Sequence, residues 1–423
     1  MHIAIVSLGS RGDVQPYVAL GRGLHEAGHA VRILSHDNYK ALVESQGLEF
    51  WAVRGDAQAV AEGEAMRAAL EKGNFVAITR ETARQAHRAA VHWAADGMAA
   101  CRDVDLIVAG VGGLFLAIAL GEKLNIPFLP AYLFPFTPTS AFPSVLFPPY
   151  RPQLKVVNRA SHHLVQQAMW QGFRSADGLM RSSVLDLPAA PFFGPFAAER
   201  LLRAPILYGF SPVVIPKPDD WGAMVHVTGY WFLDEEPNWS PPPALEAFLQ
   251  AGPPPVAIGF GSMTNRQPQE TTDLVLQALA RNGQRGVLLS GWGGLRGAEL
   301  PASVFMLDAV PHHWLFSRVA AVVHHGGAGT TAAGLRAGIP SVLVPYFGDQ
   351  SFWAARVRAL GVGPAAIPRR KLTAEGLAGA IQQAVSDETM RQRAAEIGAL
   401  IRAEDGVGRA AAVIGAFAAA TAS

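Results

Sequence analysis

Short apolar runs recur along this chain, each followed by a turn and then by a stretch with helical spacing. In the first half the runs are His2–Leu8, Ala30–Leu34, Leu48–Val53, Leu106–Ala109 and Pro127–Ala131, then Ile206–Tyr208 and Val225–Val227. Helical patterns fill Val14–Ala27, residues 57–101 and residues 155–183. A second series follows: Val256–Phe260, Gly286–Leu289, Val304–Leu307, Ala320–Val323 and Ser341–Val344, with a helix at Thr330–Ala337 and more helices to the end. Strands that alternate with helices must pair in parallel and be covered on both faces, so the class is α/β. The segment Pro212–Pro243 is rich in proline and turns and ends in Ser-Pro-Pro-Pro, which divides the chain. The expected layout is a first domain over 1–215, a linker over 216–243, a second domain over 244–405 and a last helix over 406–423.

Half of the 423 residues are apolar, enough for two cores and too many for a disordered chain. Thirty-five basic and 34 acidic residues nearly cancel, which excludes a global field that draws nucleic acid or an anionic membrane. The single cysteine, Cys101, excludes a disulfide framework and a multi-cysteine zinc site; it reads as a small core residue in a reducing, cytoplasmic setting. The apolar run His2–Leu8 is too short for a signal peptide and lacks a basic leader. Leu106–Gly121 is too short to span a bilayer, and Leu124–Tyr150 carries seven prolines, so the chain reads as soluble. Six lysines against 29 arginines, with abundant alanine, fit a GC-rich bacterial coding sequence.

Ligands of open α/β sheets sit outside the carboxyl ends of the strands. Four turns lie there: Gly9–Asp13, Gly261–Asn265, Gly291–Gly294 and His324–Thr330. In the last, a buried run ends in two histidines, then glycines, then a helix start. Bare N–H groups at a helix N-terminus suit an anion, with a pyrophosphate the natural ligand; a plain turn capped by Thr330 is the other reading. No Gly-Lys-Ser/Thr follows and Ala332 replaces a third glycine, so neither a P-loop nor a dinucleotide fingerprint is present. Asp349 and Gln350, after Ser341–Val344, offer acceptors and an amide for a polyhydroxylated ligand, or Asp349 is a helix N-cap. Asp13 is either an N-cap or a general base, and the two roles coexist only if the carboxylate leaves the cap. Asp103-Val-Asp105 lies at the amino end of a strand and reads as a solvated turn. The pairs His162-His163 and His312-His313 lack a third metal ligand and read as surface or packing residues. Leu133–Tyr150, rich in Phe and Pro, is a long loop that either shapes an apolar pocket or packs on its own domain.

The stretch Val310-Pro-His-His-Trp-Leu-Phe, then Val322-Val-His-His-Gly-Gly-Ala-Gly-Thr-Thr-Ala-Ala-Gly-Leu-Arg-Ala-Gly-Ile-Pro, then Pro345-Tyr-Phe-Gly-Asp-Gln resembles the donor-binding signature of the UDP-glycosyltransferase family. With Gly9-Ser-Arg-Gly-Asp-Val-Gln-Pro it resembles the branch of sterol glucosyltransferases and bacterial natural-product glycosyltransferases. The resemblance implies a GT-B fold, two Rossmann-like domains facing a cleft, with the last helix crossing back to the first domain. It implies inverting, metal-independent transfer of a sugar, glucose by the Asp-Gln pair, from a UDP- or dTDP-sugar co-substrate to a hydrophobic acceptor such as a sterol, polyketide or macrolide, with no cofactor. His325 then resembles the diphosphate-contacting histidine, and Gly327, Gly329 and Thr330 the phosphate-cradling turn. Asp349 and Gln350 resemble the pair on the sugar hydroxyls, Ser262 a serine near the phosphates, and Val310 a backbone contact to the base. Asp13 resembles the proposed general base. Plant members stack a tryptophan on uracil where this chain has Ala309, and Trp292 is the substitute stacker. Phe134, Phe136 and Phe142 are the expected acceptor contacts. A nucleotide-sugar epimerase or a non-catalytic nucleotide-sugar binder would use the same donor residues, and a peripheral membrane contact is a further expectation.

Overall fold

In the computed structural model, residues 1–55, 63–64, 66, 68, 75–147, 153–234, 239–261, 268–291, 295 and 299–422 are described. Two wholly parallel sheets organise them. The first contains β1 (His2–Val6), β2 (Ala30–Ser35), β3 (Glu49–Ala52), β4 (Leu106–Ala109), β5 (Phe128–Tyr132), β6 (Ile206–Tyr208) and β7 (Val225–Val227). Their order is β3-β2-β1-β4-β5-β6-β7. The chain thus builds outward from β1 on one side and returns beside it with β4, in the register Ile3↔Leu106 and Val6↔Ala109. The second sheet contains β8 (Val256–Gly259), β9 (Gly286–Leu289), β10 (Val304–Leu307), β11 (Ala321–His324) and β12 (Ser341–Leu343), ordered β10-β9-β8-β11-β12. Its reversal falls between β8 and β11. Each reversal opens a crevice at the carboxyl ends of its two central strands, where ligands of such sheets sit.

The two sheets belong to two compact units, one made of Met1–Val60, Val76–Leu233 and Asp405–Ser423, the other built on Asp234–Glu404. In the first, Ile3, Ile5, Ile33, Leu106 and Val108 pack with Val14, Val18 and Leu24 of the helix Arg11–Glu26. Ala410, Ala411 and Ile414 of the helix Gly406–Ala422 join that cluster. Gly23 is needed there, because a side chain would collide with Val407. In the second, successive residues of β8 face opposite sides, as the strand period requires. Val256 and Ile258 pack with Leu377 and Ile381 of the helix Ala374–Ser386, and Ala257 packs with Leu315 and Phe316 on the other face.

Some boundaries move. The first helix starts at Arg11 rather than Val14, because Ser10 and Asp13 form a capping box that draws the polar Arg-Gly-Asp into its first turn. The helix after β11 starts at Ala328 and is capped by Gly327, so Thr330 lies inside it and caps nothing. Residues 133–147 form a loop, and it is tied to its own unit: Thr139 Oγ1 and the Ser140 N–H and hydroxyl donate to Asp220 at 2.6, 2.7 and 2.6 Å. Those donors outweigh the desolvation of the carboxylate and hold Asp220 down at about 2. Among the described residues no helix is long and apolar enough to cross a membrane. Cys101 is wholly buried, and burial pushes its thiol up to about 12, in keeping with a core residue.

Candidate active site

At the reversal of the first sheet, the ends of β1 and β4 frame a small open depression. Asp13 and Tyr17 from the first helix line it, with Leu8, Val111, Leu133 and Phe134 supplying apolar walls. The sequence signal overlooked here is Gly110-Val-Gly-Gly113, directly after β4. A side chain at Gly110 would overlap the Tyr17 hydroxyl, one at Gly112 the Leu8 carbonyl, and one at Gly113 Val6. These glycines let the two strand ends close on each other and leave the depression between them. A glycine cluster right after an apolar run was the available cue.

Asp13 does two things at once. The Ser10 N–H and the Ser10 hydroxyl both donate to its Oδ2, each at 2.8 Å. The Asp13 backbone N–H bonds to the Ser10 carbonyl at 2.9 Å, and Ser7 Oγ donates to the Asp13 carbonyl at 2.7 Å. The cap therefore spends one carboxylate oxygen only. The residue lines the depression while its Oδ2 stays in the cap, so a base role at this position would not require the carboxylate to leave the cap. Asp13 is exposed as a residue, yet its carboxyl group lies among packed atoms. Lost hydration there raises its pKa from the ordinary carboxylate value, against the Ser10 bonds that lower it. Tyr17 stays protonated: burial, then the charge of Asp13, push its phenol well above 10, and its hydroxyl donates to the Ala131 carbonyl at 2.5 Å.

The three expected acceptor residues separate. Phe134 lines the depression. Phe136, only 4% exposed, sits in an aromatic cluster with Tyr132 at 5.1 Å and Phe196 at 6.2 Å, and its N–H bonds to Tyr208 Oη. Phe142 packs on Trp221 and His162. Neither of the last two lines the depression. Both were consumed by packing because the loop is pinned at Asp220 and lies back on its own unit.

At the reversal of the second sheet, His325 follows β11 and is 8% exposed. Its ring occupies a slot between two glycines: a side chain at Gly261 would stand 2.9 Å from Cε1, and one at Gly327 2.5 Å from Nε2. Gly261 also has φ +59°, a backbone state that disfavours other residues. Burial, then His312, push the imidazole down to about 4, so it is neutral at pH 7. Among the described residues its buried Nδ1 has no hydrogen-bond partner. Beside it, Gly327 caps the helix Ala328–Ala337 with no side-chain acceptor, which leaves first-turn N–H groups for a ligand. Gly329 is exposed and would meet nothing within 4 Å, so packing does not demand glycine there. Thr330 is half-buried at the third position of the helix. A buried neutral donor, bare N–H groups and a helix dipole together suit an anion.

Asp349 occupies the N-cap position of the helix Gln350–Ala359 without a capping bond; its Oδ2 accepts from Trp353 Nε1 at 2.7 Å. Gln350 is 4% exposed and its Oε1 accepts from the Tyr346 and Phe347 N–H groups at 2.7 and 3.3 Å. The side-chain oxygen thus serves the turn. Val310 packs in an apolar cluster with Leu315 and Phe316, just before the helix His312–Phe316. Ser262 and Trp292 lie outside the described residues. Asp103 pairs with Arg32 at 2.7 Å, and the His2 N–H donates to Asp105 at 2.8 Å. His162 bonds the Phe142 carbonyl and His312 stacks on Phe316, so both are packing residues. Among the described residues no cluster of His, Cys, Asp and Glu could hold a metal ion.

Two known families match these two regions. Residues 3–143 match the glycosyltransferase family 28 N-terminal domain, and residues 294–405 match the erythromycin biosynthesis protein CIII-like C-terminal domain. Among solved structures, the calicheamicin glycosyltransferase CalG4 superposes with a TM-score of 0.67 at 19% identity over 98% of both chains. The glycosyltransferase VinC, in complex with dTDP, gives 0.62 at 18% over 99% of each. The architecture is thus the GT-B fold of glycosyltransferases. The sterol 3-beta-glucosyltransferase UGT80B1 of Arabidopsis thaliana is 36% identical, over 99% of this chain and 68% of its own length. That of Cryptococcus neoformans is also 36% identical, over 97% of this chain but 27% of its own length. The chain spans about a quarter of the length of this fungal relative and about two thirds of the plant one. It belongs to the glycosyltransferase family that includes the sterol 3-beta-glucosyltransferases.

Proposed function

We propose that this protein transfers a sugar, glucose in the first instance, from UDP-glucose to the hydroxyl of a sterol or similar apolar alcohol, with inversion and without a metal. The observation that carries the reading is Asp13: a carboxylate held on one oxygen by Ser10, lining an apolar-walled depression at the sheet reversal. As the acceptor oxygen bonds to the anomeric carbon from the face opposite the leaving group, the bond from that carbon to the diphosphate oxygen breaks. The acceptor proton passes to Asp13. A carboxylate of pKa ~3.9 is a weak base for an alcohol, and a pKa raised by burial brings it closer to its task. The departing diphosphate gains charge, which the His325 donor and the N-terminus of the helix Ala328–Ala337 would stabilise. Asp349 and Gln350 would contact the sugar hydroxyls.

The names of the relatives favour a sterol and glucose; the dTDP in VinC keeps a thymidine donor as the alternative to test. Incubation with UDP-glucose and a sterol should yield a steryl glucoside and free UDP. Replacement by dTDP-glucose separates the donors. Asp13→Asn should stop turnover while nucleotide binding persists; unchanged turnover would remove the base from the proposal.

A further inference from the structure

His324 is the last residue of β11, is wholly buried, and has no part in the transfer as proposed above. Its side follows from strand alternation. Val322 packs with Leu315 and Phe316 on one face of the sheet and Val323 with Val256 and Ile258 on the other, so His324 returns to the Val322 face.

The Gly326 N–H donates to His324 Nδ1 at 3.1 Å, deep in the protein. An N–H donor needs a lone pair, so the ring proton sits on Nε2 and the ring is neutral. Burial, then His325 and His312, favour that state by holding the imidazole well below 6.5. Among the described residues the buried Nε2 has no hydrogen-bond partner. A buried donor left unpaired costs stability, and an apolar side chain would avoid that cost. Packing alone therefore gives no reason for histidine here, whereas the bond to Gly326 does.

Gly326 is where strand turns into helix. Its φ of +92° lies in the left-handed region, and a side chain there would stand 3.1 Å from the Gln350 carbonyl oxygen. Glycine has the most backbone freedom to lose, so a turn built on it gains from an outside hold. His324 supplies the hold from two residues back, the span over which asparagine and threonine side chains brace turns. The residue enclosed by the bond is His325. The two imidazole rings stand at 87° with centres 6.3 Å apart. Gly327, the next residue, caps the helix Ala328–Ala337 without a side-chain acceptor. One hydrogen bond thus fixes the backbone between the His325 ring and the bare N–H groups of that helix.

We propose that His324 is a positioning residue: through the Gly326 N–H it locks the strand-to-helix turn in the shape that presents His325 and the helix N-terminus to a diphosphate. It need not touch the ligand itself. The lock is a property of the fold; its value for binding rests on the function proposed above, in which this turn takes the donor diphosphate.

The test compares His324→Leu with His324→Asn in the full chain. Leucine and asparagine have the same branching and nearly the same size, but only asparagine can accept from the N–H two residues on. By calorimetry, UDP should bind about five- to tenfold more weakly to His324→Leu, the range for one lost hydrogen bond, and within about twofold of the parent to His324→Asn. Unfolding midpoints should run the other way, because the buried amide of asparagine carries donors that leucine lacks. A merely structural histidine would make the less stable variant the weaker binder. Should His324→Asn fail to fold, the isosteric pair His324→Thr and His324→Val repeats the comparison, threonine keeping the acceptor. Equal UDP affinity within a pair, or weaker binding by the member that keeps the acceptor, would overturn the proposal. Hydrogen–deuterium exchange of the peptide holding Gly326 reads the lock without a ligand: it should quicken in His324→Leu and not in His324→Asn. If the parent bound neither UDP nor dTDP, the donor reading would fall, and the exchange comparison alone would decide whether His324 locks the turn.

Discussion

The two sheet reversals have the same topology and opposite chemistry. At β1 and β4 the crevice is walled by Leu8, Val111, Leu133 and Phe134, and Asp13 brings a carboxylate to it. At β8 and β11 the crevice is walled by glycines, with a neutral imidazole and the start of a helix. Under the proposed function, the first would take an apolar body whose hydroxyl loses a proton. The other is shaped for charge. Topology sets where ligands of such sheets sit, and here the residues right after the strands give the two reversals different linings.

This contrast can be broken at either crevice. Asp13→Asn should cost turnover about 10²- to 10⁴-fold, the range of a general base, with nucleotide affinity unchanged by calorimetry. His325→Ala should lower turnover by about 10²- to 10³-fold, as loss of one donor to a developing anion does, and should weaken nucleotide binding as well. A protein in which both substitutions touched nucleotide binding equally would refute the division of labour. Glycine substitutions sharpen it further. Gly327→Ala should impair nucleotide binding, because its methyl group meets the His325 ring, while Gly110→Ala should lower the unfolding midpoint and acceptor turnover by disturbing Tyr17. Overpacking of this kind costs about 1–3 kcal/mol.

Acidity gives a smaller effect with opposite signs in the two crevices. His325 has a folded pKa near 4, below its unfolded value near 6.5, so the unfolded chain binds more protons between them. Its contribution to stability is complete above pH 6.5 and is lost as pH falls toward 4. Asp13, raised from 3.8, shifts stability the other way as pH rises just above that value. Denaturant titrations at pH 7 and pH 5 should show the loss on acidification, reduced in His325→Gln. Smallest of all, Ser10→Ala removes one of two donors to Asp13 Oδ2 and should move the acid limb of kcat/KM to higher pH. Nucleotide affinity should not change, and Ser10→Thr should restore the profile.

Strand positions were legible because the apolar runs had no other use: Leu106–Ala109 and Gly286–Leu289 are found over the same residues as strands. Helix starts were less so. Arg11-Gly-Asp13 looks like loop by composition and becomes helix because Ser10 and Asp13 satisfy each other. Proximity between distant segments was not legible at all. Nothing local says that Gly261 and Gly327 flank one ring, or that Phe136 is spent on Tyr132 and Phe196 while Phe134 faces the depression. A row of phenylalanines gives composition, and only the pinning at Asp220 decides which ring points where.

The helix Gly406–Ala422 seals the sheet that the first residues of the chain begin, with Gly23 making room for Val407. Engineers who graft the first unit between such enzymes therefore have a hidden obligation. A chimaera cut only at the 233/234 junction would pair a foreign tail with a host groove, and mismatched side chains would meet at the closest approach in that core. Moving residues 405–422 together with the front segment keeps lock and key from the same parent.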